Sequence, residues 1–270
     1  MKRNVTKVIF ILALVVFLGA LGYLGFIWFS YHSAGQAYEQ LADQVIQRRE
    51  NSSDGELGES GGGQAVWAPL TVDFDALRAV SEDVVLWIDI PGTGVSYPVA
   101  QAEDNDYYLR KTLKGEYNFA GTVFMDYRNN PSVTDDNTIL YGHNMRDGSM
   151  FGLLKKYGKE EFFRAYPEID LYLSDRILRC SVISSHQEAA QEENFPMQFG
   201  SGEEKMAYID RIKSKAWYDT GVLAGEEDRL ITLVTCTGNG YSHRFVVQAV
   251  VTEEIGLSAG DSAMEKPETE

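Results

Sequence analysis

Two apolar runs near the C-terminal end constrain the fold most: Leu230-Ile231-Thr232-Leu233-Val234 and Arg244-Phe245-Val246-Val247-Gln248-Ala249-Val250-Val251. Both are rich in β-branched residues, the composition of buried strands. The first run leads through Thr235 into Cys236, and the turn residues Thr237-Gly238-Asn239-Gly240 follow at once. A chain with this pair must build a sheet. Its thiol then stands at the rim of that sheet, and Arg244 opens the neighbouring strand. A nucleophile and a fixed positive charge are thus held near each other on rigid elements, where a reactive site needs them.

The remaining patterns extend the sheet. Asp73–Val80 reads as a short helix capped by Asp73. Strands follow at Val84–Ile88 and at Val95–Val99, where Pro98 favours an edge position. Further strands are predicted at Gly121–Met125 and at Thr138–Tyr141, the latter ending in Gly142-His143. Helices are predicted over Ser149–Tyr157 and Lys159–Tyr166, then strands over Ile169–Leu173 and Ile177–Ser185. From Gln187 to Glu227 the chain turns polar and irregular, except for a helix from about Glu203 to Trp217 with Met206, Ile209 and Ile212 on one face. Many short strands separated by turns predict a mainly β fold, a closed barrel-like sheet with a few peripheral helices. No internal repeat is visible.

Ahead of this domain, Lys2, Arg3 and Lys7 precede the uncharged run Val8–Phe29. As a helix its 22 residues rise roughly 33 Å, about the thickness of a bilayer's hydrocarbon core. A cleaved signal peptide would carry a shorter apolar region, so the run reads as a transmembrane signal anchor with a cytoplasmic N-terminus. Gln36–Glu50 presents Tyr38, Leu41, Ala42, Val45 and Ile46 on one helical face, either to pack on the domain or to continue the membrane helix as a stalk. Asn51–Gln64, rich in Gly, Ser and Glu, reads as a flexible tether. The expected organisation is residues 1–7 cytoplasmic, 8–29 membrane anchor, 30–69 juxtamembrane helix and linker, 70–255 catalytic domain, and 256–270 a disordered acidic tail.

Composition removes other function classes. A formal net charge of −16 offers no basic face to phosphates, which argues against a nucleic-acid partner. The two cysteines and four histidines show no metal-ligand spacing, so no metal is expected. No phosphate-cradling G-x-x-x-x-G-K segment is present, and no cofactor is expected. Cys180, inside the strand-like Ile177–Ile183, reads as a buried structural thiol, which leaves Cys236 as the functional one.

The segment Thr232-Leu233-Val234-Thr235-Cys236 followed by Arg244 resembles the TLxTC…R signature of sortases, the membrane-anchored cysteine transpeptidases of Gram-positive bacteria. Leu140-Tyr141-Gly142-His143-Asn144-Met145 resembles the segment carrying the sortase histidine, and Gly148-Ser149-Met150-Phe151 behind it is similar to class B. The resemblance covers about Phe74 to Glu254. It implies Cys236 as nucleophile, His143 as general acid and base, and Arg244 as the group that steadies the oxyanion or the substrate. It also implies a closed β-barrel and no cofactor. Its partners would be secreted proteins with a C-terminal sorting signal, an NPxTx-like motif cut after Thr, and a peptidoglycan precursor or other cell-wall amine. The catalytic domain would stand outside the cell membrane.

Other readings stay open at this point. A pilin-polymerising relative would use a lysine acceptor, a thiol protease would deliver water, and a membrane-tethered binding module would leave Cys236 idle. Thr235 either contributes a hydroxyl for substrate binding or is simply a strand residue. His243 is a rival to His143, but strand alternation turns it away from the face of Arg244. His186 and His32 carry no supporting motif and read as surface residues. Thr237 stands where class B members often carry a carboxylate, so no carboxylate role transfers there.

Overall fold

The computed structural model describes residues 2–48, 69–190, 195–236 and 242–257. Eight strands close into a barrel in the order β10-β8-β7-β3-β4-β5-β6-β9. They are β3 (Val84–Asp89), β4 (Ser96–Ala100), β5 (Val123–Met125), β6 (Asn137–Tyr141), β7 (Glu168–Tyr172), β8 (Arg176–Ala189), β9 (Leu230–Cys236) and β10 (His243–Gly256). Every neighbouring pair is antiparallel except β4–β5 and β6–β9. Closure removes the exposed edges that an open sheet would present.

The two apolar runs are buried on both faces, which is why they do not alternate with polar residues. Ile231, Leu233, Phe245, Val247 and Ala249 belong to the main core. Leu230 and Val250 belong to a second cluster with Ile183 and with Tyr208, Ile209 and Ile212 of helix α4 (Gly202–Lys215). That helix begins at Ser201, whose hydroxyl accepts from Glu204 N–H. Polar pins fix it and the sheet: Gln248 donates to the Tyr208 hydroxyl at 2.7 Å, and Lys205 Nζ meets Asp136 at 2.8 Å.

Three local expectations change. Pro98 lies in an interior strand rather than at an edge. The β4–β5 ladder begins only at Val99, so nothing in it calls for an N–H from Pro98. Ser149–Tyr157 is not one α-helix; it is a run of turns passing into a 3-10 segment over Leu154–Gly158, with α3 (Glu160–Ala165) behind it. Strand β8 runs on to Ala189, so the irregular insertion begins later than the polarity of Gln187 suggested.

At the other end, α1 (Lys2–Val45) is one long helix, and its final turns dock on the domain. Tyr38 and Val45 are buried, while Leu41, Ala42 and Ile46 pack against the core. Full burial of a side chain such as Val45 stabilises by about 1.5–3 kcal/mol. The chain then forms β1 (Ile46–Arg48), antiparallel to β2 (Leu70–Val72), and Asp73 N–H donates to Val45 O at 2.8 Å. Asp73 caps α2 (Phe74–Val80), as expected. The expected apolar face, Tyr38, Leu41, Ala42, Val45 and Ile46, therefore packs on the domain, although the helix itself ends at Val45. Among the described residues no helix is long and apolar enough to cross a membrane. The expected span takes in Val8 and Phe26–Phe29, whose side chains lie outside those described, as do the tether over Asn51–Gln64 and the tail beyond 257.

Candidate active site

Strand β9 lies between β6 and β10, and this order assembles the site. On the antiparallel side, Cys236 is the direct ladder partner of Arg244. On the parallel side, Tyr141 is level with Val234, and Gly142 N–H extends the ladder by donating to Val234 O at 3.1 Å. Two residues further along each chain, the same parallel register sets the backbone of His143 level with that of Cys236. Arg244 and His143 line one cavity of about 240 Å³ with Asn105, Leu109, Phe124, Tyr141, Gly142, Val234 and Thr235. The Cys236 side chain lies outside the described residues; its backbone position is what the ladder defines.

The approach to His143 depends on Gly142. A Cβ there would fall 2.6 Å from Phe151 Cγ, closer than packed atoms allow, so only glycine lets the chain pass the core ring. Behind it, Phe151 N–H donates to His143 O at 2.9 Å, and Asn144 pairs with Met150 in a small hairpin. The imidazole is half-buried, and its Nε2 donates to the Leu109 carbonyl at 2.7 Å. A carbonyl only accepts, so Nε2 carries the proton and Nδ1 is the proton-accepting nitrogen of the neutral ring. Burial holds the ring's pKa below the usual histidine value, and the Arg110 charge works in the same direction; the Leu109 bond opposes both.

The cavity floor is aromatic and apolar. Tyr141 stacks on Phe124 with ring centroids 5.3 Å apart. Asp126, fully buried, holds this end together: it accepts from Arg128 Nε, from Asn105 Nδ2 at 3.0 Å and from the Tyr141 hydroxyl at 3.3 Å. Burial alone would raise its carboxyl, but the bonds from Arg128 and Asn105 outweigh that and hold it below the ordinary 3.8. Asp126→Ala takes the shared acceptor from the partly buried Asn105 and Tyr141 and the more exposed Arg128, and is expected to cost about 1–2 kcal/mol in urea unfolding. The sign with pH follows from the lowered carboxyl. The wild-type advantage is complete above pH 3.8 and disappears as pH falls through the lowered value, so the two proteins converge in acid.

Of the predicted site residues, the fold brings His143, Arg244 and the Cys236 backbone together. Thr235 also lines the cavity; it is buried, and its Oγ1 has no hydrogen-bond partner among the described residues. His243 is exposed, is bonded by Nδ1 to Ser242 Oγ, and is not among the residues lining the cavity. Cys180 is 0 % exposed, and burial pushes its thiol well up, so it is inert as a nucleophile.

His186 is a correction: it is 2 % exposed rather than on the surface. Because β8 continues through it, His186 sits beneath α4, with Nδ1 3.1 Å from Ser184 Oγ and Nε2 3.1 Å from Glu188 Oε2. Glu188 in turn accepts from Lys215 at 2.7 and 2.9 Å and is the ladder partner of Arg244. His32 lies outside the residues whose side chains are described.

Sequence reasoning missed Leu109, Asn105 and Asp126. Leu109 acts through its carbonyl, which carries no residue-type signal, and no motif in the sequence marks Asn105 or Asp126.

Residues 88–252 match the sortase domain family. Sortase B of Listeria monocytogenes is 35% identical over 174 residues, covering 64% of this chain and 71% of that protein. Sortase B of Staphylococcus aureus is 31% identical over 185 residues, covering 68% of this chain and 75% of that protein. The crystal structure of sortase B from B. anthracis superposes with a TM-score of 0.69 at 32% identity, covering 84% of this chain and 98% of that one.

Proposed function

The chain belongs to the sortase family and is a cysteine transpeptidase similar to sortase B; from that premise we propose that Cys236, His143 and Arg244 carry the reaction. The observation that supports this best is the strand order. It sets Cys236 directly opposite Arg244, on a strand flanked on its other side by the one that delivers His143.

Nδ1 of the neutral His143 ring takes the Cys236 proton, and the thiolate attacks the carbonyl carbon of the scissile peptide. The tetrahedral oxyanion is stabilised by Arg244, whose planar guanidinium offers a fork of donors. Collapse breaks the C–N bond, His143 returns the proton to the leaving amine, and a thioester on Cys236 remains. An incoming amine gives its proton to His143 and attacks the thioester. A new peptide bond forms, and the thiolate regains the proton.

The donor is a secreted protein with a C-terminal sorting signal of the NPxTx-like kind, cut after its threonine. The acceptor is an amine on a peptidoglycan precursor or the cell wall. Residues 70–255 form the catalytic domain outside the cell, and residues 8–29 are the membrane anchor. The anchor is supported by the uncharged run within α1 and by the exposed apolar side chains from Ile9 to Leu21. The basic residues Lys2, Arg3 and Lys7 before it support a cytoplasmic N-terminus.

The test is to incubate the full chain in detergent micelles with a pool of sorting-signal peptides, with and without triglycine, and read the products by mass spectrometry. A peptide joined to triglycine after its threonine is expected. Cleavage that triglycine or a lysine side chain never diverts would make the enzyme a protease. Ligation to lysine in preference to triglycine would make it a pilin polymerase.

A further inference from the structure

Resting on the reading of His143 as the acid–base group, we propose that Tyr38 of α1 is a positioning residue for that histidine. The docked end of the N-terminal helix thereby holds the catalytic imidazole in place.

Two lines of contact run from Tyr38 to His143, one reaching its ring and one its backbone. Along the first, the Tyr38 hydroxyl donates to Gly121 O at 3.1 Å and lies 2.8 Å from Thr122 Oγ1. Thr122 donates its hydroxyl to Lys111 O at 2.8 Å and its N–H to Tyr108 O at 3.0 Å. The two backbone segments are pressed together. Gly121 has φ +60°, and a Cβ on it would fall 2.5 Å from Tyr108 O and 2.7 Å from Leu109 O. The Leu109 carbonyl is the acceptor for His143 Nε2. The depth at which Tyr38 holds residues 121–122 therefore sets where that carbonyl stands.

Along the second line, the Tyr38 ring meets Tyr97 edge-on, with centroids 6.0 Å apart and planes at 89°. The Tyr97 hydroxyl accepts from Met150 N–H at 3.0 Å. Met150 has φ +52°, a left-handed conformation that a side chain rarely adopts and that persists where surrounding contacts hold it. It pairs with Asn144, and the next residue, Phe151, bonds His143 O. Tyr38 itself is 6 % exposed, and burial raises its hydroxyl to about 12, so it remains a donor at neutral pH.

The experiment uses the full chain in micelles and compares Tyr38→Phe, Thr122→Val and the double variant with wild type. The measurements are kcat, KM and the 15N spectrum of the histidine rings, with the His143 signals assigned from His143→Ala. Loss of the Tyr38 hydroxyl strands buried acceptors, and kcat is expected to fall about tenfold. KM should stay within about twofold, since substrate contacts are untouched. Burial is the largest influence on the His143 ring, so loosening its surroundings raises its pKa toward the usual value, and the ring nitrogens report this directly.

If the two residues act along one line, the double variant is no slower than the slower single variant. Wild-type kcat together with an unchanged His143 spectrum would overturn the proposal. So would lost activity that follows a lower melting temperature while that spectrum stays fixed in the folded protein. Turnover that survives in His143→Ala would instead remove the acid–base reading, and the ring spectrum of Tyr38→Phe would still decide whether Tyr38 positions the imidazole.

Discussion

Cys236→Ala is expected to lower turnover of a sorting-signal peptide by about 10⁵-fold or more and to abolish the acyl-enzyme mass. The size follows from the chemistry. With no thiolate there is no thioester, and the two-step route through an acyl-enzyme on Cys236 is closed. Cys180 cannot stand in either, because it is fully buried and its thiol is held protonated. The fold should be indifferent to the change, since Cys236 is the last residue of its strand and its ladder partnership with Arg244 is made by backbone. The variant should therefore melt within a few degrees of wild type while remaining inactive, with intact-protein mass spectrometry reading the missing intermediate. A thioester-sized mass increase in the variant would remove Cys236 from the mechanism.

His143→Ala is the second large effect, expected at about 10²–10⁴-fold in kcat/KM. Its signature is in the pH profile as much as in the rate. Burial holds the His143 pKa below 6.5, so the ring is mainly neutral at pH 7 and able to take the thiol proton. As pH falls through that lowered value the ring protonates and the base is lost. The acid limb of wild-type kcat/KM should accordingly be centred below pH 6.5 and should be missing from the residual activity of His143→Ala. An acid limb at or above 6.5, or one that persists in the variant, would assign the proton transfer to another group.

Much of the architecture was legible from the chain. The runs ending at Cys236 and starting at Arg244 became β9 and β10 because continuous apolar residues demand cover on both faces, and the core and α4 supply it. The helix over Gly202–Lys215 announced itself by Ile209 and Ile212 at helical spacing. The strand-end positions of His143, Cys236 and Arg244 were legible for the same reason.

What stayed hidden was what each buried face packs against. His186 looked exposed because the polar residues that follow suggested a loop, whereas Glu188 and Lys215 satisfy them inside a strand covered by a helix. The stripe of Tyr38, Leu41, Ala42 and Val45 showed that one face of α1 is apolar but did not identify its partner. The Leu109 carbonyl left no trace at all, since every residue carries one.

The parallel pairing of β6 with β9 has a consequence for when the enzyme becomes reactive. His143 and Cys236 are 93 residues apart in sequence, and the crossover between their strands contains α3, β7, β8 and α4. Closing so long a connection costs entropy before the pairing returns any stabilisation, so the two backbone positions come together only as the barrel shuts. A chain not yet folded carries Cys236 as an ordinary thiol, mostly protonated at neutral pH and without a base beside it. Under the proposed mechanism, transpeptidation is thus a property of the finished barrel, and a nascent or unfolded copy has a thiol but no assembled site.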